Sequence, residues 1–246
     1  MRLLSWNLQH GGGARLARIA DAIIGHDPDV IALSEFRTKP SAVLCARLNV
    51  AGWPHVETTG PVGIDNGIAV LSRMPMVRTR PCPAPPENVV RWLDIDLPEY
   101  GFGFGVLHIL CAVPKLKDGV RGKAKACFWN ALLGAAARLH EPFLFVGDFN
   151  TGAHRVDETR STFVCTEHFC KLTASGWTDM WQNHNPGTTE WTWYLKLKRG
   201  ACGNGFRLDH AFATPSLAPL ITSCRYSHVD RDAGISDHSM VIVEVK

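Results

Sequence analysis

The chain has 246 residues, 46% hydrophobic and 20% charged, with 26 basic against 23 acidic side chains and a net charge of +3. These figures fit one globular domain over residues 1–246 and exclude a disordered chain. No apolar run reaches the roughly 18–20 residues of a membrane helix, and the opening residues read as a strand rather than a signal peptide. A monomeric, cytoplasmic protein with no membrane partner is therefore expected. The eight cysteines contain no CxxC pair, as suits free thiols in a reducing compartment. Cys165, His168 and Cys170 have no fourth ligand at zinc-finger spacing, so no zinc site is expected.

Strand-length apolar runs recur along the chain: Leu3–Trp6, Val30–Leu33, Gly67–Leu71, Val89–Ile95, Phe104–Ile109, Phe143–Val146, Phe206–Ala213, Ile221–Val229 and Met240–Val245. They are rich in β-branched and aromatic residues. Helical patterns lie between some of them, at Ala14–His26, Gly122–His140 and, more weakly, Ser161–Ala174. Too few helices separate the strands for a doubly wound parallel sheet. A mixed or antiparallel double sheet with helices outside, an α/β (α+β) arrangement, fits better.

The chemistry-bearing residues cluster at run ends. Glu35, His108, Asp148 with Asn150, and Asp209 close or follow strand-like runs, Asp237 and His238 precede one, and Asn7 ends the first. One such acid is ordinarily a turn residue or helix cap, and His108 alone reads equally well as a core histidine. The set together suits a hard cation such as Mg²⁺, with Mn²⁺ as a substitute. Carboxylates, amides and histidines around such an ion suit phosphodiester hydrolysis. A serine hydrolase is excluded, because no GxSxG elbow is present. His10-Gly11-Gly12-Gly13 lacks the GK[ST] of a phosphate loop and reads as a turn. His10, His140, His154, His168, His184, His210 and His228 match no motif and are expected to be structural.

In order along the chain, Ser5-Trp6-Asn7, Leu33-Ser34-Glu35, Asn66-Gly67 through Ser72-Arg73, Val106-Leu107-His108, Gly147-Asp148-Phe149-Asn150, Arg207-Leu208-Asp209 and Ser236-Asp237-His238 resemble the motifs of the exonuclease/endonuclease/phosphatase superfamily, which includes exonuclease III and deoxyribonuclease I. The resemblance implies a four-layer sandwich of two mixed, mostly antiparallel sheets face to face with helices outside. It implies that Glu35 ligates Mg²⁺ with Asn7 and Asp237 beside the metal. Asp148 would activate the attacking water and Asn150 would position it. His238, held by Asp209, and His108 would contact the scissile phosphate. Asn66 would lie at the substrate. Ser34 stands where Gln is usual, and His108 where abasic-site enzymes carry Tyr, which points toward the deoxyribonuclease I side of the superfamily.

The charge distribution bears on substrate. Lys115, Lys117, Arg121, Lys123 and Lys125 against Asp118 carry +4, Lys196, Lys198, Arg199 and Arg207 another +4, and the remainder −5. Both islands adjoin catalytic motifs, which favours a polyanion. Trp191 and Trp193 alternate with the basic residues in strand fashion and read either as core or as a base-stacking surface. Trp191, Trp193, Lys115, Lys196, Arg207 and Asn66 are thus the expected substrate contacts. The sequence reads as a Mg²⁺-dependent phosphodiesterase, a DNA endonuclease or exonuclease. The alternatives are RNA, a nucleotide or a small phosphate ester, and, less favoured because every motif position is filled, an inactive nucleic-acid-binding domain.

Overall fold

The computed structural model describes residues 1–79, 86–112, 119–197 and 202–246. One six-stranded sheet runs β13 (Ile221–Ser227), β14 (Met240–Val245), β1 (Arg2–Asn7), β2 (Val30–Phe36), β4 (Gly67–Ser72), β3 (His55–Thr58). The other runs β5 (Val77–Thr79), β6 (Trp92–Leu97), β7 (Phe102–His108), β8 (Phe143–Asp148), β12 (Asp209–Ala213), β9 (Thr178–Asp179). A hairpin of β10 (Trp193–Lys196) and β11 (Cys202–Phe206) stands apart. Each large sheet has a single parallel pair, β1 with β2 and β7 with β8, and is otherwise antiparallel.

Both faces of each sheet are apolar, because both are covered. Leu3, Val30, Ala32 and Val70 of the first sheet meet Leu93, Phe104, Val106, Leu144 and Val146 of the second in a central core. The alternate residues Leu4, Ile31, Leu33 and Leu71 pack under α1 (Leu16–His26) and α2 (Thr38–Val50). Leu107, Phe143, Phe145 and Phe212 pack under α3 (Gly119–Ala136) and α4 (Thr166–Ala174). Two short helices, α5 (Met180–His184) and α6 (Val229–Asp232), complete the connections. The result is the four-layer sandwich expected. No helix among the described residues is long and apolar enough to cross a membrane, and the seven described cysteines are free thiols.

Local departures from the sequence reading have physical causes. Helix α2 went unread because Pro40 lies within it and only Ser41, Leu44 and Leu48 are buried. Pro is tolerated in a first helical turn, and that spacing marks one narrow apolar face. Val89–Ile95 divides into a 3₁₀ turn ending at Arg91 and the strand β6. Helix α4 starts at Thr166 rather than Ser161, because the chain before it winds around the buried Glu158 carboxylate, which accepts from the Thr162 and Phe163 amides and the Thr162 hydroxyl.

Arg207 requires a correction. It is 1% exposed, with Nε donating to Asp157 at 2.6 Å and the two terminal nitrogens to Asp179 at 3.1 and 2.7 Å. Its guanidinium also lies over Trp181. A side chain so engaged clamps the 153–157 loop to β9 and does not reach substrate. Burial opposes ionisation of Asp179, but Arg207 outweighs it and holds the carboxyl well below the ordinary range. That contribution is present above the unfolded carboxylate pKa and is lost as pH falls through the depressed folded value. Arg207→Met, which strands two buried carboxylates, should destabilise the fold by about 3–5 kcal/mol, read as a lower midpoint in urea unfolding at pH 7.

Candidate active site

Strand register sets the site. β7 and β8 are parallel with His108 beside Asp148, and β8 and β12 antiparallel with Asp148 beside Asp209. The three side chains form one row, and alternation places them on the inner face with Val106, Val146 and Ala211. Gly147 is the residue that permits this approach. Its φ is +135°, and a Cβ there would lie 2.2 Å from the Leu107 carbonyl oxygen.

The first sheet supplies the opposite side. Asn7 ends β1 and Asp237 and His238 precede β14. Strict alternation would put Glu35 on the helix-covered face with Ile31 and Leu33. A register shift between Ser34 and Phe36, with Glu35 at φ 53°, breaks the alternation. Such a bulge re-aims a side chain, here into the cleft.

Asp148 is held from three directions. Its Oδ2 accepts from Asn7 Nδ2 at 3.0 Å and Asn150 Nδ2 at 2.9 Å, and its Oδ1 accepts from the Asn150 amide at 2.9 Å. Burial above all pushes its carboxyl up to about 7; Asp209 and Glu35 add to this, while His238 and the Asn150 amide oppose it. His238 bonds Asp209 through Nδ1 at 2.9 Å. Burial alone would lower the His238 imidazole, but Asp209, with Asp148 and Asp237, holds it up at about 10. His108 is the converse: burial, then Arg91 and His238, keep it well below its ordinary range. At neutral pH one imidazole is cationic and the other neutral, and Asp148 lies near both.

These residues line a cleft of about 630 Å³. Its floor carries Glu35, His108, Asp148, Asn150, Asp237 and His238, and one wall carries Phe163, Trp193, Leu195 and Phe206 beside Arg160. A hard cation fits the floor on one specific ground: Asp237 Oδ1 is buried without a hydrogen-bond partner among the described residues, while Oδ2 accepts from Trp193 Nε1 at 3.2 Å. Glu35 Oε2 accepts from the His10 amide at 2.6 Å, leaving Oε1 toward the cleft. Asp148, Asp209 and His238 also offer ligand atoms within 4.8 Å of one another. Cys165, Glu167 and His168 form a second such group, on which the neighbouring Lys125 charge bears.

Several expected residues have other places. Asn7 donates to Asp148 through Nδ2 and accepts from the Gln9 amide through Oδ1, and so helps to hold the Asp148 carboxylate. Asn66 sits at the rim, accepting from Arg37 Nε. Trp193 lines the cleft, but Trp191 packs against Gly205 of β11, where a Cβ would lie 2.2 Å from its ring. Lys196 is exposed on β10. Lys115, with Lys117, Lys198 and Arg199, lies outside the described residues. Lys125 is wholly buried and donates to the Asn150 carbonyl at 2.6 Å; with His210, which bonds the Thr151 carbonyl, it braces the turn after Asp148. Sequence reasoning missed Arg91, whose guanidinium meets His108, and His10, whose ring lies 3.1 Å from Glu35. No motif marked either residue; only the strand pairing across β6 and β7 would have suggested the first.

The sequence profile of the endonuclease/exonuclease/phosphatase family matches residues 4–238. The chain belongs to that family. No curated protein matches this member by sequence. Its fold is shared with solved structures: an AP endonuclease from Archaeoglobus fulgidus (19% identity, TM-score 0.80, covering 100% of this chain and 99% of that one); the 3′ phosphatase NExo from Neisseria bound to product DNA hairpin (21%, 0.82, 100% and 99%); and a 3′-5′ exonuclease, NExo, from Neisseria meningitidis (22%, 0.79, 100% and 100%). At these identities the likeness establishes the fold of this family member and no more.

The electrostatics give a direct test. In metal-free protein followed by NMR, the Asp148 carboxyl should titrate near 7 and His238 near 10. Asp209→Asn removes the largest of the charges that outweigh burial, so His238 should then titrate well below 10, held up only by Asp148 and Asp237. Retention of a value near 10 in that variant would assign the raised basicity to another group.

Proposed function

We propose that this family member is a divalent-metal-dependent phosphodiesterase acting on DNA, as an endonuclease or exonuclease. The observation that carries the reading is the buried Asp148 carboxylate, raised toward neutrality and set between a cationic and a neutral imidazole at the floor of a cleft. A carboxyl poised near 7 accepts a proton from an attacking water at physiological pH. Asn7 and Asn150 fix its orientation. His238, with Nδ1 bound to Asp209, keeps Nε2 for a phosphoryl oxygen or the leaving group. His108 offers a neutral donor from the other side. Glu35 and Asp237 would hold Mg²⁺ or Mn²⁺, which when bound offsets charge developing on the phosphoryl oxygens.

Support for a nucleic acid comes from the wall of the cleft. Phe163, Trp193 and Phe206 form a continuous aromatic surface, with centroids 5.7 and 5.8 Å apart along it, suited to a base or sugar. Arg160 lines the cleft, and Lys196 is exposed on the hairpin beside it; both suit phosphates. The Neisseria 3′ phosphatase with the same fold is bound to a DNA hairpin, which supports DNA over a small ester.

The purified protein should hydrolyse DNA with Mg²⁺ or Mn²⁺ and lose all activity in EDTA. A panel of single-stranded, duplex and abasic DNA, RNA and a small phosphodiester identifies the substrate; turnover in EDTA, or of the small ester alone, would overturn the reading. Glu35→Gln and Asp237→Asn should each weaken Mn²⁺ binding, read by electron paramagnetic resonance, and lower kcat at least about 100-fold. DNA affinity should fall steeply as salt rises from 50 to 200 mM.

A further inference from the structure

The turn after β1 holds five consecutive residues at positive φ: Gln9 at 53°, His10 at 58°, Gly11 at 76°, Gly12 at 77° and Gly13 at 52°. Glycine takes such a φ at little steric cost, whereas Gln9 and His10 carry a Cβ and are strained. Gly11 and Gly12 are also required by space. A Cβ on the first would lie 2.9 Å from Arg37 Cβ, and one on the second 2.7 Å from Ile19 Cδ1. The turn delivers the His10 amide to Glu35 Oε2 at 2.6 Å. Strain of this kind persists only where the surroundings over-determine it.

Arg15, just before α1, supplies the hold. Its Nη2 donates to the carbonyls of Leu8 and Gln9 at 3.1 and 2.7 Å, and its Nη1 to the carbonyl of Ile235 at 2.5 Å. The guanidinium thus bridges the turn that contacts Glu35 and the segment that carries Asp237. Its planar fork spans acceptors set apart in this way, where a compact ammonium does not. Ser236 adds a second tie, donating to the Asn7 carbonyl at 2.6 Å. Both carboxylates act on Arg15: burial lowers its pKa, while Asp237 and then Glu35 raise it. A fixed positive charge so near two acids weakens their hold on a cation, so charge alone is a poor reason for an arginine here. We propose that Arg15 is a positioning residue that clasps the 8–10 turn to the 235–237 segment and so fixes Glu35 and Asp237 relative to each other for a divalent cation.

The clasp rests on the reading of Glu35 and Asp237 as metal ligands, and two measurements separate the two. In metal-free protein, hydrogen exchange of the His10 amide, followed in ¹H–¹⁵N spectra, should be at least about 10-fold faster in Arg15→Met and in Arg15→Lys than in the wild type. Mn²⁺ binding, read by electron paramagnetic resonance, should weaken about 10–100-fold in both variants. The sign is diagnostic. An arginine acting through its charge alone would give tighter Mn²⁺ binding in Arg15→Met and unchanged binding in Arg15→Lys, and either result would overturn the clasp. So would unchanged His10 exchange in a folded Arg15→Met variant, or a rise in KM as its sole effect, which would make Arg15 a phosphate-binding cation. Gly13→Ala probes the turn without touching Arg15, and serves where the Arg15 variants do not fold, because a Cβ there meets nothing within 4 Å. The penalty at φ 52° should speed His10 exchange and weaken Mn²⁺ binding, each about 5-fold; no change in either would also count against the proposal. If the wild type binds no Mn²⁺, His10 exchange still decides whether Arg15 holds the turn, and the metal reading alone fails.

Discussion

The site depends on the pairing of β8 with β7 on one side and β12 on the other. Side chains alternate strictly along a strand, so the residues that fill the central core, Leu144 and Val146, also decide that Asp148 faces inward. A slip of one residue would turn Asp148 toward the helices and Phe145 into the centre. The same argument holds for His108 after Phe104 and Val106, and for Asp209 before Ala211 and Ala213. Core packing and the geometry of the site are thus one constraint. Only Glu35 escapes it, by a bulge whose left-handed backbone is a local strain of about 1–3 kcal/mol, offset by the sheet on either side.

Gathering acids at the end of an apolar sandwich has electrostatic consequences. Low polarity strengthens each pairing and penalises each unpaired charge. Asp148 responds by moving toward neutrality, His238 by holding a proton against Asp209, and His108 by losing its own. The contrast between the two imidazoles comes from their partners, not from depth, since both are buried. Asp237 Oδ1, at the cleft, is a buried oxygen with no hydrogen-bond partner among the described residues, and a cation is the partner its chemistry suits.

Much of the fold was legible because its strands are buried on both faces and read as continuous apolar runs. The runs at Leu3, Val30, Gly67, Phe104, Phe143 and Met240 correspond closely to β1, β2, β4, β7, β8 and β14. Helix α2 was not legible, because its buried face is narrow and Pro40 stands in its first turn. Charge was the least reliable guide. Lys125 and Arg207 counted toward basic islands, yet both are buried and serve as internal braces. A count cannot distinguish a cation that faces substrate from one that satisfies a carbonyl or a carboxylate, because both are spent far from where the sequence places them.

The sequence by itself determined which residues stand at strand ends, since apolar runs stop where solvent or chemistry begins, and so it determined Glu35, His108, Asp148, Asp209 and His238. Tertiary structure decided what each one does. Asn7 became a holder of Asp148, Trp191 a packing ring against Gly205, and Arg91 a neighbour of His108. These roles arise from contacts between strands far apart in the chain. A protonation state, a tautomer or a vacant lone pair belongs to a neighbourhood, and a neighbourhood exists only once the strands are paired.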